Sequence, residues 1–510
     1  MFKQKQEADV CLILEGTYPF VLGGVSSWIH DLIKSQKHLK FALISLTPPQ
    51  TKLKLQYEIP DNVVGIEVVP LQTLRPGIRT LSKDRKKELF RKLEQPLLSL
   101  LSQGKLSDLE DVLSILGSER NLGSRALLNS EEAWQMLLRM YHTIMGDNCF
   151  LDYFWSWRSL LGSLYSILFC EIPKAKVYHS LCTGYAGLLL SRIKLETGKP
   201  SFLTEHGIYT NERRIEIILS DWLQDQKAMN LTVDKDVFHK DLKDFWIESF
   251  VSYSKICYTI ADPIVTLYEG NKALQLADGA DHKKLHVIPN GIDWSTLSKL
   301  KKDTNHPPTV ALIGRVVPIK DVKTYIRSIN QLRAAIPNIR AWIMGPTDED
   351  EEYYTECMDM VKRMNLEESV IFTGKVDIKE YLPQVDVMVL TSISEAQPLT
   401  LLEAGAAGIP SVATNVGACK EMLYGRSDEL AKNPLGQGGV VCPLSSPQKI
   451  ADAMYQLLTD GAFHESCGKA MKERVRRYYD KKLLDQTYKR VYDYLIKKGE
   501  KSASIQKKAS

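Results

Sequence analysis

Short unbroken apolar runs, too short to be helices, recur along this chain between helical stretches. They fall at residues 10–14, 41–46, 175–179, 201–205, 256–260 and 285–289, and again at 309–313, 341–344, 370–372, 385–390, 410–413 and 439–441. A strand that is apolar at successive positions is buried on both faces, and such strands belong to parallel sheets sandwiched between helices. The rhythm breaks twice. From about residue 82 to 170 the apolar residues take helical spacing, as at Trp134, Leu137, Leu138 and Met140, which predicts a helical insertion. Later the polar run Lys301-Lys302-Asp303-Thr304-Asn305-His306-Pro307-Pro308 reads as a linker.

The expected fold class is therefore α/β, with two doubly wound Rossmann-like domains facing each other across a cleft. The first covers 1–295, with the insertion at about 82–170, and the second covers 309–470. Helices over 471–510 are expected to pack back on the N-terminal domain, ending in a polar tail from about Glu500. A length of 510 residues accommodates two or three domains.

Composition narrows the function classes. The net charge of +4 is small for so long a chain and argues against nucleic acid as partner. The basic excess is concentrated at the end: residues 472–510 hold thirteen Lys/Arg against five Asp/Glu. That tail is either a solvated helix face or a patch for peripheral contact with anionic lipid or an acidic partner. The nine cysteines are scattered, with no Cys-x-x-Cys pair, as for buried thiols in a reducing compartment. The apolar run at 10–14 is too short for a secretory leader. No stretch approaches the roughly 18 apolar residues of a membrane span, residues 149–170 being broken by Asp152 and Arg158. The expectation is a cytoplasmic protein, either free or peripheral at the inner face of the cell membrane.

Two stretches carry the chemistry. In Gly314-Arg315-Val316-Val317-Pro318-Ile319-Lys320-Asp321, a strand end passes to a helix start with two cations in the loop. A guanidinium suits bidentate contact with phosphate oxygens, and an ammonium is a mobile point charge. The pair is either a diphosphate clamp or two ordinary surface cations. In Glu395-Ala396-Gln397-Pro398-Leu399-Thr400-Leu401-Leu402-Glu403, one carboxylate sits in a loop and a second in the following helix. Pro398 suits the first helical position, and the N–H groups around Leu399, Thr400 and Leu401 then form an anion site. Alone, Glu403 reads equally as a solvent-facing helix residue. His206 follows a strand and precedes Gly207, so it either projects into the cleft or is bonded within its turn; His179, also at a strand end, reads as a turn histidine. The acidic run Asp348-Glu349-Asp350 reads as a solvated loop, not as a metal site.

The Gly314-Arg315…Lys320-Asp321 loop, the Glu395-x7-Glu403 spacing and the run Ile288-Pro289-Asn290-Gly291-Ile292-Asp293 together resemble the GT4-type retaining glycosyltransferases of GT-B fold. The resemblance implies that Arg315 and Lys320 bind the donor pyrophosphate, that Glu395 lies against the donor sugar, and that Glu403 binds the nucleotide ribose. It further implies that the Gly23-Gly24 loop reaches the phosphates and that His206 lies near the sugar. The expected donor is a UDP-sugar, with no metal and no other cofactor. The chain departs from the family where Ala396 and Pro398 stand at positions often held by glycine, which affects how closely the backbone can approach the sugar.

Within that family, Ile13-Leu14-Glu15-Gly16-Thr17-Tyr18-Pro19, Gly23-Gly24-Val25-Ser26-Ser27-Trp28 and Thr204-Glu205-His206-Gly207-Ile208-Tyr209, with the long insertion, resemble the PelF-type enzymes of Pel exopolysaccharide synthesis. That implies a biofilm polymer as acceptor, a UDP-hexose or UDP-N-acetylhexosamine donor, and membrane-embedded Pel synthase and export proteins as partners. The competing expectations are another GT-B enzyme, such as a phosphorylase or nucleotide-sugar epimerase, and a catalytically idle UDP-binding scaffold.

Overall fold

The structure is a computed structural model that describes residues 4, 6–78, 81–117, 122–144, 149–219 and 242–509. The chain divides into two compact units. The first holds residues 1–266, 272–286 and 488–510; the second holds 267–271 and 287–487. The units thus divide near residue 286, and the polar run at 301–308 lies inside the second.

The first unit is built on a sheet of β1 (Ala8–Glu15), β2 (Phe41–Thr47), β3 (Val63–Pro70), β4 (Ala175–Ser180), β5 (Ser201–Glu205), β6 (Ile264–Thr266) and β7 (Leu285–Val287), ordered β3-β2-β1-β4-β5-β6-β7. β1 runs parallel to both β2 and β4, with Ile13 opposite Ile44 on one side and Ser180 on the other. Among the described residues, five helices, Lys83–Leu100, Leu106–Gly117, Ser124–Leu127, Glu131–Ile144 and Phe150–Phe169, lie between β3 and β4. They share one core with the sheet, with Leu93, Leu97, Met136, Trp157 and Leu164 buried beside Ile13 and Ile44.

Two expectations fail here. Residues 256–260 are not a strand; they are the last turn of the helix Leu242–Ile260. Their β-branched and aromatic content suggests a strand, but Tyr253, Ile256 and Cys257 fall at helical spacing and are all buried. The strand of that region is the shorter β6, immediately after. The C-terminal polar tail is also helical, because the helix Lys481–Ala509 continues past Glu500. β3 escapes the apolar-run pattern, as Gly65 and Glu67 interrupt it.

The second unit repeats the plan with β8 (Thr309–Ile313), β9 (Arg340–Met344), β10 (Val370–Gly374), β11 (Val387–Leu390), β12 (Ser411–Thr414) and β13 (Gly439–Cys442), ordered β10-β9-β8-β11-β12-β13. The alternation of a strand divides its side chains between two cores. Val310, Leu312, Val387 and Val389 face one, and Ala311, Met388 and Leu390 face the other. Both faces are covered, which explains the continuous apolar runs. Among the described residues, no helix is long and apolar enough to cross a membrane.

Each sheet reverses its order once, between β1 and β4 in the first unit and between β8 and β11 in the second. In open parallel sheets that switch point, at the carboxyl ends of the strands, is where ligands bind.

Candidate active site

The switch point of the second unit is flanked by the two stretches singled out in the sequence. β8 ends at Ile313, and Gly314 and Arg315 follow. A 3-10 turn, Pro318–Lys320, then leads to the helix Val322–Arg333. Asp321 caps that helix, its carboxylate accepting from the Thr324 N–H at 3.2 Å while its own backbone is left-handed at φ 45°. Across the switch point, β11 is followed by Thr391. The Thr391 hydroxyl lies 2.8 Å from the Lys320 carbonyl and 3.0 Å from that of Asp321. The Ile393 N–H donates to the Ile319 carbonyl at 2.9 Å. These bonds lock the cationic loop to the loop that carries Glu395.

The Lys320 ammonium donates to Glu395 Oε1 at 2.5 Å, the side chains being only 21% and 13% exposed. Arg315 lies further out and pairs with Glu349, both about half exposed. An exposed pair of this kind is worth about 0–1 kcal/mol, so the guanidinium can exchange Glu349 for another anion at small cost. Of the acidic run, Glu349 thus holds Arg315, and Asp350 caps the helix Glu351–Arg363 by accepting from the Tyr353 N–H at 2.9 Å.

Glu395 is held from behind by backbone. The Ala418 N–H donates to the Ala396 carbonyl at 2.8 Å. Gly417 turns there at φ 49°, and a Cβ on it would lie 2.1 Å from the Glu395 carbonyl oxygen. The buried Gln397 accepts from the Asn290 N–H at 2.7 Å, tying the Ile288–Asp293 run to the same loop. Sequence reasoning missed Thr391, Gln397 and Gly417. A glycine just beyond β12 is the one local signal that marks any of them.

Pro398 is the cap of the helix Leu399–Ala406 and not its first residue. Leu399 and Thr400 open the helix and present N–H groups without intrahelical acceptors. The Leu401 N–H already donates to the Pro398 carbonyl at 3.3 Å, so it adds less to an anion site than expected. Glu403 is half-buried, and burial raises its carboxyl to about 7, with Lys379 pulling weakly the other way. It is not the solvent-facing glutamate that its position alone allows.

The remaining candidates belong to the first unit. Gly23 caps the helix Gly24–Ser35, and open space surrounds the Cα atoms of Gly23 and Gly24 where a side chain would be. That helix carries Trp28, whose ring meets the His206 imidazole edge-on at 4.6 Å. Burial lowers the His206 pKa to about 4, so it is neutral at physiological pH. Just before it, Glu205 at the end of β5 is buried and accepts from Tyr258, Gln275, Thr183 and the Tyr209 N–H. Four donors make it a structural carboxylate. The Tyr209 hydroxyl donates in turn to Glu15 at 2.6 Å, tying the end of β1 to the helix Tyr209–Leu219 that follows β5. His179 is a core histidine, fully buried and stacked on Phe202 at 3.7 Å.

Comparison with known proteins gives two family matches. Residues 8–283 match a domain of unknown function, DUF3492, and residues 307–460 match the glycosyl transferases group 1 family. Among curated proteins, the chain is 25% identical over 230 residues to N-acetyl-alpha-D-glucosaminyl L-malate synthase of Bacillus anthracis, covering 44% of this chain and 57% of that protein. It is 26% identical over 224 residues to glycogen synthase of Mycobacterium tuberculosis, covering 43% and 50%. The chain thus spans about half the length of the curated relatives it matches. Among solved structures, Anabaena HepE in complex with UDP superposes with a TM-score of 0.57 at 13% identity, covering 95% of this chain and 99% of that one. Sucrose-phosphate synthase from Thermosynechococcus elongatus gives 0.56 at 15%, covering 95% and 98%. These similarities show the fold, which is GT-B.

Proposed function

Because the chain belongs to the DUF3492 family and carries a glycosyl transferases group 1 module, we propose that it is a retaining glycosyltransferase that moves a hexosyl or N-acetylhexosaminyl unit from a UDP-sugar to a growing exopolysaccharide of the Pel type. The observation that carries this is the meeting of Lys320 and Glu395 at the switch point between β8 and β11. A sugar nucleotide presents a diphosphate directly beside a hydroxyl-bearing ring. A cation and a carboxylate side by side match that pair of neighbours.

In this reading Arg315 and Lys320, with the Leu399 and Thr400 N–H groups, hold the diphosphate. Glu403 accepts from the ribose hydroxyls. Glu395 faces the donor sugar. For the first unit, the proposed roles are those the family resemblance implies: phosphate contact by the Gly23-Gly24 loop and sugar contact by the neutral His206. The bond between the anomeric carbon and the phosphate oxygen breaks, and the acceptor oxygen bonds to that carbon on the same face. The acceptor proton passes to the departing phosphate oxygen. Arg315 and Lys320 stabilise the charge that develops on UDP, an effect worth about 3–4 kcal/mol per donor. The two cations do this without a metal ion.

Membrane-embedded Pel synthase and export proteins are the proposed partners, with recruitment by protein docking preferred over lipid. The insertion helices offer exposed Trp134, Leu151 and Trp155 for such docking. The deciding experiment is UDP release from UDP-hexoses and UDP-N-acetylhexosamines, with and without a glycan acceptor, and in EDTA. Acceptor-stimulated, EDTA-resistant release is expected. Absence of release from every donor would overturn the reading, and dependence on added Mn²⁺ or Mg²⁺ would overturn its metal-free part. Strong, salt-sensitive flotation of the purified protein with anionic liposomes would replace protein docking by lipid binding.

A further inference from the structure

The C-terminal helix contributes residues from Tyr488 onward to the first unit, where Tyr488 and Tyr492 are completely buried. Their hydroxyls end a chain of polar groups. Tyr492 lies 2.9 Å from His179 Nδ1, His179 Nε2 lies 2.9 Å from the Thr204 hydroxyl, and that hydroxyl lies 2.9 Å from the Tyr488 oxygen. All four side chains are inaccessible to solvent, so each bond replaces one to water and a lost bond is not made good by solvent. Burial holds His179 well below the usual histidine range, which keeps the junction of the chain neutral.

Tyr488 differs from Tyr492 in a second contact. Its ring meets Trp28 edge-on at 5.3 Å, and Trp28 meets His206 edge-on at 4.6 Å. Such aromatic pairs contribute orientation as well as burial. Thr204, the partner of the Tyr488 hydroxyl, stands two residues before His206 on β5. One tyrosine from the far end of the chain therefore supports both the strand that delivers the imidazole and the indole against which it rests. Trp28 also belongs to the helix that starts at Gly24.

We propose that Tyr488 is a positioning residue for His206, holding the imidazole through Trp28 and Thr204 in the orientation that serves sugar transfer. This deepens the glycosyl-transfer reading and rests on it. It assigns the C-terminal helix a part in the site that a merely capping helix would not have.

The test compares Tyr488→Leu, Tyr488→Phe and Tyr492→Phe. Tyr488→Leu removes both supports. Tyr488→Phe keeps the ring on Trp28 and loses the hydroxyl. Tyr492→Phe breaks the same polar chain at its other end without touching Trp28. In Tyr488→Leu, kcat with a UDP-sugar should fall about tenfold to hundredfold, the scale of a misplaced site group, while UDP affinity holds. Tyr488→Phe should lose less, and Tyr492→Phe should lower the melting temperature and leave kcat unchanged. In His206→Ala, adding Tyr488→Leu should cost nothing further in kcat. Histidine NMR reads the positioning without turnover: the His206 titration should move from about 4 toward 6.5 in Tyr488→Leu and stay in place in Tyr492→Phe. An unmoved His206 titration, or activity that falls in step with melting temperature in all three variants, overturns the inference. A wild-type protein that turns over no donor overturns the glycosyl-transfer reading instead, and the NMR comparison still decides the positioning.

Discussion

Glu403 offers the sharpest test of the site, because its burial has a consequence that can be measured with and without nucleotide. Its carboxyl titrates at about 7 in the folded protein against an ordinary 4.5. Below pH 4.5 the group is protonated in both folded and unfolded chains and contributes nothing. Between 4.5 and 7 the unfolded chain ionises while the folded one keeps its proton, so stability falls as pH rises and the loss is complete above 7. Each pKa unit corresponds to about 1.4 kcal/mol, which puts the cost at about 3 kcal/mol at pH 8. Glu403→Gln removes the titration. Its stability relative to wild type should climb by up to that amount between pH 4.5 and 8, read from denaturant unfolding of the second unit.

The proposed nucleotide contact reverses the sign. In that reading ribose hydroxyls donate to Glu403 and favour its charged form, so UDP binding near pH 7 should release a proton from this group. Calorimetry in buffers of different ionisation enthalpy reads that release directly. Wild-type affinity for UDP should gain from pH 5.5 to 7.5 relative to Glu403→Gln; the titration of the UDP phosphate is common to both and cancels in the comparison. Parallel pH profiles for the two proteins, in stability and in affinity, would refute both the burial argument and the ribose assignment.

Other expected outcomes concern the cationic loop and the framework behind it. Lys320→Ala should weaken UDP by about 1.5–3 kcal/mol, the range for hydrogen bonds to charged groups, with little change in melting temperature; unaltered calorimetric affinity would remove Lys320 from the phosphate site. Glu395→Ala should leave UDP affinity intact or improve it, because it frees the ammonium now held at 2.5 Å, while sugar transfer collapses; weaker UDP binding would contradict that division of roles. Gly417→Ala places a carbon against the Glu395 carbonyl at a left-handed position, and should reduce transfer more than it reduces melting temperature in a paired assay. The fully buried pair of Arg474 and Glu429 accepts no substitute on one side alone: Glu429→Ala should cost about 3–5 kcal/mol by chemical denaturation, and a loss below 1 kcal/mol would show that the guanidinium finds water there.

Much of the second unit is legible in the sequence because its information is local. A run such as Thr309 to Ile313 is apolar at successive positions whatever surrounds it, and that pattern is enough to specify a strand buried on both faces. The glycine, proline and charged residues between such runs mark the loops, so residue order alone locates the stretches bearing Arg315, Lys320, Glu395 and Glu403. Local pattern also misleads where two periodicities overlap, as at residues 256–260. There, β-branched and aromatic content points to a strand while burial at helical spacing makes a helix.

What only the tertiary structure decided is which distant groups share a place and how much water they retain. Lys320 and Glu395 are 75 residues apart and meet because β8 and β11 are neighbours. Arg474 reaches Glu429, and Tyr488 reaches Thr204, across 45 and 284 residues. Glu403 looks like any helix glutamate in sequence, and its raised pKa comes from the packing that removes its solvent. Strand and helix periodicity follow from each residue and its near neighbours, so the sequence carries them openly. Coulomb energy and desolvation depend on through-space distance and on excluded water, and these quantities have no value until the chain has folded.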